Sequence, residues 1–181
     1  TPLYSSAASD VYKRQALRWG TGYDTTVRSF VNIIATPKGG THVQGFEQGL
    51  LRAFSAGLEG TRILKSSEEI VKDDVLEGMT AVVTVSLAEP QFEGQTKEVL
   101  GTPPVRRLVA RIVEDKMTAF LTSAKAADKP VARALMEKVV NASRTRVAAR
   151  AHKENQRRKN ALESSHPVSY THLTLPTNRE V

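Results

Sequence analysis

Apolar positions alternate in residues 16–34 and 79–87 and recur at helical spacing in residues 43–58, 105–121 and 131–140. Ala16-Leu17-Arg18-Trp19 is a short strand candidate, ended by Gly20-Thr21-Gly22. Residues 25–34 are rich in β-branched side chains. Val27, Ser29, Val31 and Ile33 fall on one face, and Arg28, Phe30, Asn32 and Ile34 on the other. Two such runs around a Gly/Asp-containing turn predict an antiparallel hairpin. Thr36-Pro37-Lys38-Gly39-Gly40 breaks the pattern. Thr41 and Gln44 then have the spacing of a capping box, with Thr41 as N-cap. Behind them Val43, Phe46, Leu50 and Phe54 recur at helical spacing. Leu51 and Leu58 widen the stripe, and Gly57 and Gly60 mark its end. A Gly-Gly turn into a helix suits an anion site or simply a tight turn. His42 fits a packed or surface first-turn position. His152, His166 and His172 lie too far from it along the chain to make a metal set by local spacing.

Residues 61–72 are charged and without period, and predict a loop. Residues 73–78 read as one helical turn with Asp73 and Asp74 at its positive end. Residues 79–87 are the strongest strand. Met79, Ala81, Val83, Val85 and Leu87 alternate with Thr80, Val82, Thr84 and Ser86, and the partly apolar second face predicts a central strand covered on both sides. After Gly101-Thr102-Pro103-Pro104 a helix carries Val105, Leu108, Val109, Ile112, Val113, Phe120 and Leu121, its prolines suiting the first turn. Residues 122–128 read as a linker. A last helix runs from about 130 to about 161, roughly 45 Å at 1.5 Å per residue. Its first half is apolar at Val131, Leu135, Met136, Val139 and Val140. The order β-β-α-(loop)-β-α-α is that of an α+β domain, a sheet with helices packed against it.

Composition changes this picture little. The 181 residues suit one domain with at most an appendage. With 40% hydrophobic residues they can bury a core. The absence of cysteine excludes disulfides and thiolate metal sites. No apolar run approaches the ~20 residues that span a bilayer, and no signal-peptide pattern is present, so a cytoplasmic location and no membrane partner are expected.

Charge matters more. Residues 144–159 hold seven basic side chains (Arg144, Arg146, Arg150, Lys153, Arg157, Arg158 and Lys159) against Glu154. That segment accounts for nearly all of the net charge of +7. A basic stripe on one element suits an anionic partner, or equally a solvated helix face.

The remaining stretch is Pro90-Gln91-Phe92-Glu93-Gly94-Gln95-Thr96-Lys97, directly after the strongest strand. Gly-Gln-Thr-Lys can gather amide, hydroxyl and ammonium donors around a phosphate. Taken alone it is also the composition of a solvated turn. Its companions are more specific. Ser29-Phe30-Val31-Asn32, Gly39-Gly40-Thr41-His42 with Gly45-Phe46, Glu77-Gly78-Met79-Thr80-Ala81 and Glu89 to Lys97 follow in one order and spacing. Together they closely resemble the transducer domain of the ATPase component of type II DNA topoisomerases, nearest to the gyrase B type. Arg157-Arg158-Lys159-Asn160-Ala161-Leu162-Glu163 resembles that domain's end. The resemblance covers about residues 16–165.

The resemblance implies a ribosomal-protein-like sheet with a left-handed βαβ crossover, a rare hand. It implies that Gln95 and Lys97 contact the γ-phosphate of ATP held by a neighbouring domain. It places the basic helix along a cavity for double-stranded DNA, with Arg144, Arg146, Arg150, Arg157, Arg158 and Lys159 as candidate phosphate contacts. The implied partners are the gyrase A protein in a heterotetramer and a second copy through the ATPase region. The implied cofactors are ATP and Mg²⁺; the Mg²⁺ ligands, like the catalytic residues, lie outside this sequence. The expected organisation is a transducer body over 16–128 and its long basic helix over 129–165. The flanks 1–15 and 166–181 depart from the family. They resemble translated sequencing-adapter read-through, and are expected to be non-native and without a fold element.

Overall fold

The computed structural model describes the backbone of residues 4–8, 11–59, 61, 63–64 and 68–164, and side chains within those stretches from Arg14 to Asn160. The order is β1 (Tyr4–Ala8), β2 (Val11–Trp19), β3 (Thr26–Val31), β4 (Ile34–Ala35), α1 (Thr41–Glu59), α2 (Lys72–Leu76), β5 (Met79–Leu87), β6 (Phe92–Glu93), β7 (Val99–Leu100), α3 (Pro103–Leu121) and α4 (Asp128–Ser164). The chain divides into two units after Arg146. It is an α+β fold with a long C-terminal helix, as expected.

β5 is the centre of a five-stranded sheet ordered β1-β2-β5-β3-β4. β2 runs antiparallel to it, from Val11 opposite Leu87 to Trp19 opposite Met79. β3 runs parallel on the other side, from Thr26 opposite Thr80 to Val31 opposite Val85. The hairpin predicted from the first two runs is therefore not formed, because β5 lies between them. The segment 20–25 can step over one strand, a distance of roughly 10 Å. β5 takes the middle because Met79, Ala81, Val83 and Val85 present an unbroken buried row. Parallel neighbours need a crossover connection, and α1 supplies it.

β5 is covered on one face only. Val82 is 38% exposed, and Thr80 and Ser86 are exposed too. The expectation of cover on both faces thus fails: a polar-alternating second face is the signature of an open sheet.

The flanks bring a third correction. Residues 4–8 and 11–15, expected to hold no element, lie in β1 and β2. An exposed strand edge pairs through main-chain groups, which do not read side chains. Residues 166–181 lie outside the described residues.

α1 buries Phe46, Leu50, Phe54 and Leu58 against the sheet, as its stripe predicts. The T-shaped contact of Phe54 with Trp19, centroids 5.9 Å apart, ties it to β2. The Trp19 indole also donates to the Val75 carbonyl at 2.9 Å. Two features of α1 differ from expectation. Thr41 is the first helical residue and its hydroxyl has no partner among the described residues, so the capping box does not form. The helix instead begins on Gly40, whose carbonyl accepts from Val43 and Gln44 at 3.1 Å each. Gly57 lies inside the helix and does not end it. With Gly45, Gly49 and Ala53 it forms a small-residue row at four-residue spacing. A Cβ on Gly45 would stand 2.3 Å from the Arg106 carbonyl oxygen, and one on Gly49 2.4 Å from that of Ala110. These glycines let α1 and α3 meet backbone to backbone.

α3 contributes Val105, Val109, Val113, Met117 and Leu121 to the core. α4 contributes Ala132, Met136, Val139 and Val140. Val131, predicted on its apolar face, is 51% exposed, and the buried position is Ala132. No helix among the described residues is long and apolar enough to cross a membrane.

Candidate functional site

The strand β5 ends at Leu87, where Asn32 grips it. The Asn32 amide donates to the Leu87 carbonyl at 2.6 Å, and its oxygen accepts from the Leu87 N–H at 2.8 Å. Beyond this clamp the chain forms a small hairpin, with Phe92 opposite Leu100 and Glu93 opposite Val99. Its tip is Gly94-Gln95-Thr96-Lys97. Gly94 and Lys97 both hold left-handed backbone, φ 80° and 55°. Glycine does so freely, whereas lysine incurs a steric cost in that region. Gln95 and Lys97 are both exposed, and neither side chain has a hydrogen-bond or ion-pair partner among the described residues.

The base of this hairpin is fastened on two sides. The Leu100 N–H donates to the Gly39 carbonyl at 3.1 Å, and Leu100 is bridged to Gly40. The Gly101 N–H donates to the Gln91 carbonyl at 2.8 Å, and the Gln91 N–H to the Thr102 hydroxyl at 3.0 Å. One attachment leads into α1 and the other into α3. Lys38 and Glu98 add an ion pair of 2.5 Å. The hydrogen bond from Lys38, its charge, and a side-chain hydrogen bond with Thr96 hold the Glu98 carboxyl below the ordinary glutamate value. The Gly39-Gly40 turn is thus a tight turn that seats β7. His42, fully buried, contacts the Thr36 hydroxyl through Nε2 at 3.2 Å, within the same seat.

The basic helix splits into two kinds of residue. Arg144 makes a two-point pair with Glu68, at 3.0 and 3.1 Å, and donates to the Ile63 carbonyl. Arg146 grips the buried Asp74 carboxylate at 2.9 and 3.1 Å and donates to the Glu69 carbonyl. These carboxylate hydrogen bonds raise both guanidinium pKa values above their ordinary one. Asp74 also accepts from the Val71 N–H at 3.0 Å, at the start of α2. In the second unit Arg150, Arg157, Arg158 and Lys159 are all exposed. Of these only Arg158 has a partner among the described residues, Glu154 one turn earlier at 3.4 Å. The structure therefore separates Arg144 and Arg146 from the other four.

Sequence reasoning missed Lys38, Glu98, Thr102 and Lys138. Lys138 donates to the Gly20 carbonyl and, at 3.1 Å, to that of Glu77, joining α4 to the loops that begin β3 and β5. A lysine on a helix, or a glutamate beside a turn, carries no local signal of such a partner. The nearest hint was the position of Lys38 beside the Gly-Gly turn.

The DNA gyrase B family model matches residues 3–155. The B subunit of DNA gyrase from Borrelia hermsii is 39% identical over 159 residues, which cover 87% of this chain and 24% of that protein. Its counterpart from Streptococcus pyogenes serotype M3 is 38% identical over 167 residues, 91% of this chain and 25% of that one. The chain thus spans about a quarter of the length of these relatives. Among solved structures, the 43K ATPase domain of Thermus thermophilus gyrase B, in complex with an aminocoumarin, superposes with a TM-score of 0.74 at 29% identity. That match covers 84% of this chain and 40% of the other. The topoisomerase IV ATP-binding domain of Francisella tularensis, in complex with a small-molecule inhibitor, superposes with a TM-score of 0.69 at 28% identity, over 80% and 40%.

Proposed function

The chain belongs to the DNA gyrase B family, and from that premise we propose that it is the transducer of an ATP-hydrolysing type II topoisomerase. The observation that carries this is Lys97, a cation without a partner among the described residues, at the exposed tip of a hairpin whose base is fastened to the segments just ahead of two helices. Gln95 and Lys97 meet the γ-phosphate of ATP bound by a neighbouring domain. The tip, Gly94 to Lys97, offers an ammonium and an amide, which suit a phosphate group. While the γ-phosphate is in place it attracts Lys97. Once phosphate has left, that attraction is gone and the hairpin is free to relax, carrying α1 and α3 with it. The same architecture in a topoisomerase IV domain makes this coupling equally suited to that enzyme.

DNA is the second partner in this proposal. The exposed Arg150, Arg157, Arg158 and Lys159 contact phosphates of a double-stranded segment. Arg144 and Arg146 are committed to Glu68 and Asp74 and hold α4 in place. In the whole enzyme the protein works with gyrase A and with a second copy of itself. By itself this chain neither hydrolyses ATP nor cuts DNA, since the activating carboxylate and the cleavage centre belong to other domains.

The deciding experiment is Lys97→Ala in the full-length protein, with ATP turnover measured at saturating and limiting nucleotide. Turnover falls at least about tenfold, the loss of one strong charge-assisted contact to phosphate. Unchanged turnover would overturn the proposal in favour of a module that binds nucleic acid without ATP coupling.

A further inference from the structure

Lys97 is followed directly by Glu98, so the sensing cation has an anion as its immediate neighbour. An adjacent carboxylate at the same turn is an intramolecular competitor for the ammonium, present at all times and independent of nucleotide. The structure shows where that carboxylate goes. It turns to Lys38, at 2.5 Å. Lys38 itself is placed by the turn that seats β7, where Gly39 and Gly40 meet Leu100. The left-handed backbone of Lys97, φ 55°, is the remaining part of the arrangement, a local strain held by the fastened hairpin base.

Resting on the γ-phosphate assignment above, we propose that Lys38 is a positioning residue that holds the Glu98 carboxylate away from Lys97 and so reserves the Lys97 ammonium for the nucleotide. Lys38 and Glu98 are both partly exposed, with side-chain exposures of 67% and 33%. Their pair therefore adds little to folding stability. Its contribution lies in which cation the carboxylate neutralises.

The test is a mutant cycle in the full-length protein: Lys38→Ala, Glu98→Ala and the double variant, with Lys97→Ala as reference. Lys38→Ala frees Glu98 to pair with Lys97 and raises KM for ATP by about two- to fivefold, the range of an exposed ion pair, with kcat little changed. Glu98→Ala does not raise KM. The double variant returns KM to the parental value, because the competitor is gone. The KM defect of Lys38→Ala also shrinks as salt is raised. A merely structural clamp predicts the opposite pattern, with both single variants and the double raising KM alike and independently of salt; that result would overturn the inference. If Lys97→Ala leaves KM and kcat unchanged, the γ-phosphate assignment itself fails. If Lys97→Ala impairs turnover but the cycle shows no rescue, only the role of Lys38 fails.

Discussion

Gly40 and Leu100 touch backbone to backbone. A Cβ on Gly40 would stand 2.4 Å from both the nitrogen and the carbonyl oxygen of Leu100, and Gly40 holds φ at +135°. This contact joins the turn before α1 to β7, the second strand of the hairpin that carries Lys97. Gly40→Ala carries both a conformational and a steric penalty. It should lower stability by about 1–3 kcal/mol and increase hydrogen exchange at the Leu100 amide. Urea denaturation and exchange measurements check this. Unaltered Leu100 protection would show that the hairpin base does not depend on the contact.

Acid should release the link between Lys38 and Glu98. The Glu98 pKa is lowered in the folded state by its hydrogen bond with Lys38. The contact is therefore fully present above the ordinary glutamate pKa and is lost as pH falls through the lower folded value. An NMR titration of the Glu98 side chain should give a midpoint below the ordinary one. Lys38→Met should return the midpoint toward the ordinary value.

Arg146 and Asp74 form the most buried ion pair of α4, with Asp74 4% exposed. Arg146→Met leaves that carboxylate with the Val71 N–H as its one remaining hydrogen bond among the described residues. The expected loss is about 3 kcal/mol, near the lower end for breaking a buried pair because Arg146 is partly exposed. Asp74→Asn with Arg146→Met should recover part of it. Thermal unfolding of the three variants measures the coupling.

Gln15 is a buried polar residue on β2. It is only 5% exposed, opposite Val83, and its amide oxygen has no partner among the described residues. Gln15→Leu should stabilise the fold by about 1–3 kcal/mol, the cost of an unsatisfied buried polar group. We propose that residues 1–15 are foreign sequence, although the family match runs from residue 3. Sequencing the source DNA across codons 15–16 and 165–166 tests that proposal, and an unbroken native reading frame would refute it.

Neutralising Arg150, Arg157, Arg158 and Lys159 to Gln in the full-length protein should reduce DNA-stimulated ATP turnover more than basal turnover. The salt dependence of DNA binding should flatten by about 0.9 in the log-log slope for each phosphate contact removed. Equal loss of basal and stimulated turnover would count against a DNA role. Arg144→Gln and Arg146→Gln should act first on stability, through Glu68 and Asp74.

Much of this protein was legible before its structure. The alternation of Met79 to Leu87 located the central strand to the residue. The spacing of Phe46, Leu50 and Phe54 located the core face of α1. The polar Gly-Gln-Thr-Lys stretch marked a turn, which is the exposed tip of the β6–β7 hairpin. These are local properties: period 2 and period 3.6 are written in neighbouring residues, and a turn's chemistry is written in its own side chains.

Tertiary structure decided what depends on partners distant along the chain. Strand order could not be read from alternation, since β2 and β3 have strand patterns whether they pair with each other or flank β5. The row Gly45, Gly49, Gly57 means close helix packing only once α3 lies against it. Arg144 and Arg146 looked like the other arginines of a basic stripe until Glu68 and Asp74, more than 70 positions earlier, came within hydrogen-bond reach. Composition determined that the stripe is positive. Only folding decided which of its charges already have a partner, because a charge is neutralised by proximity in space and not in sequence.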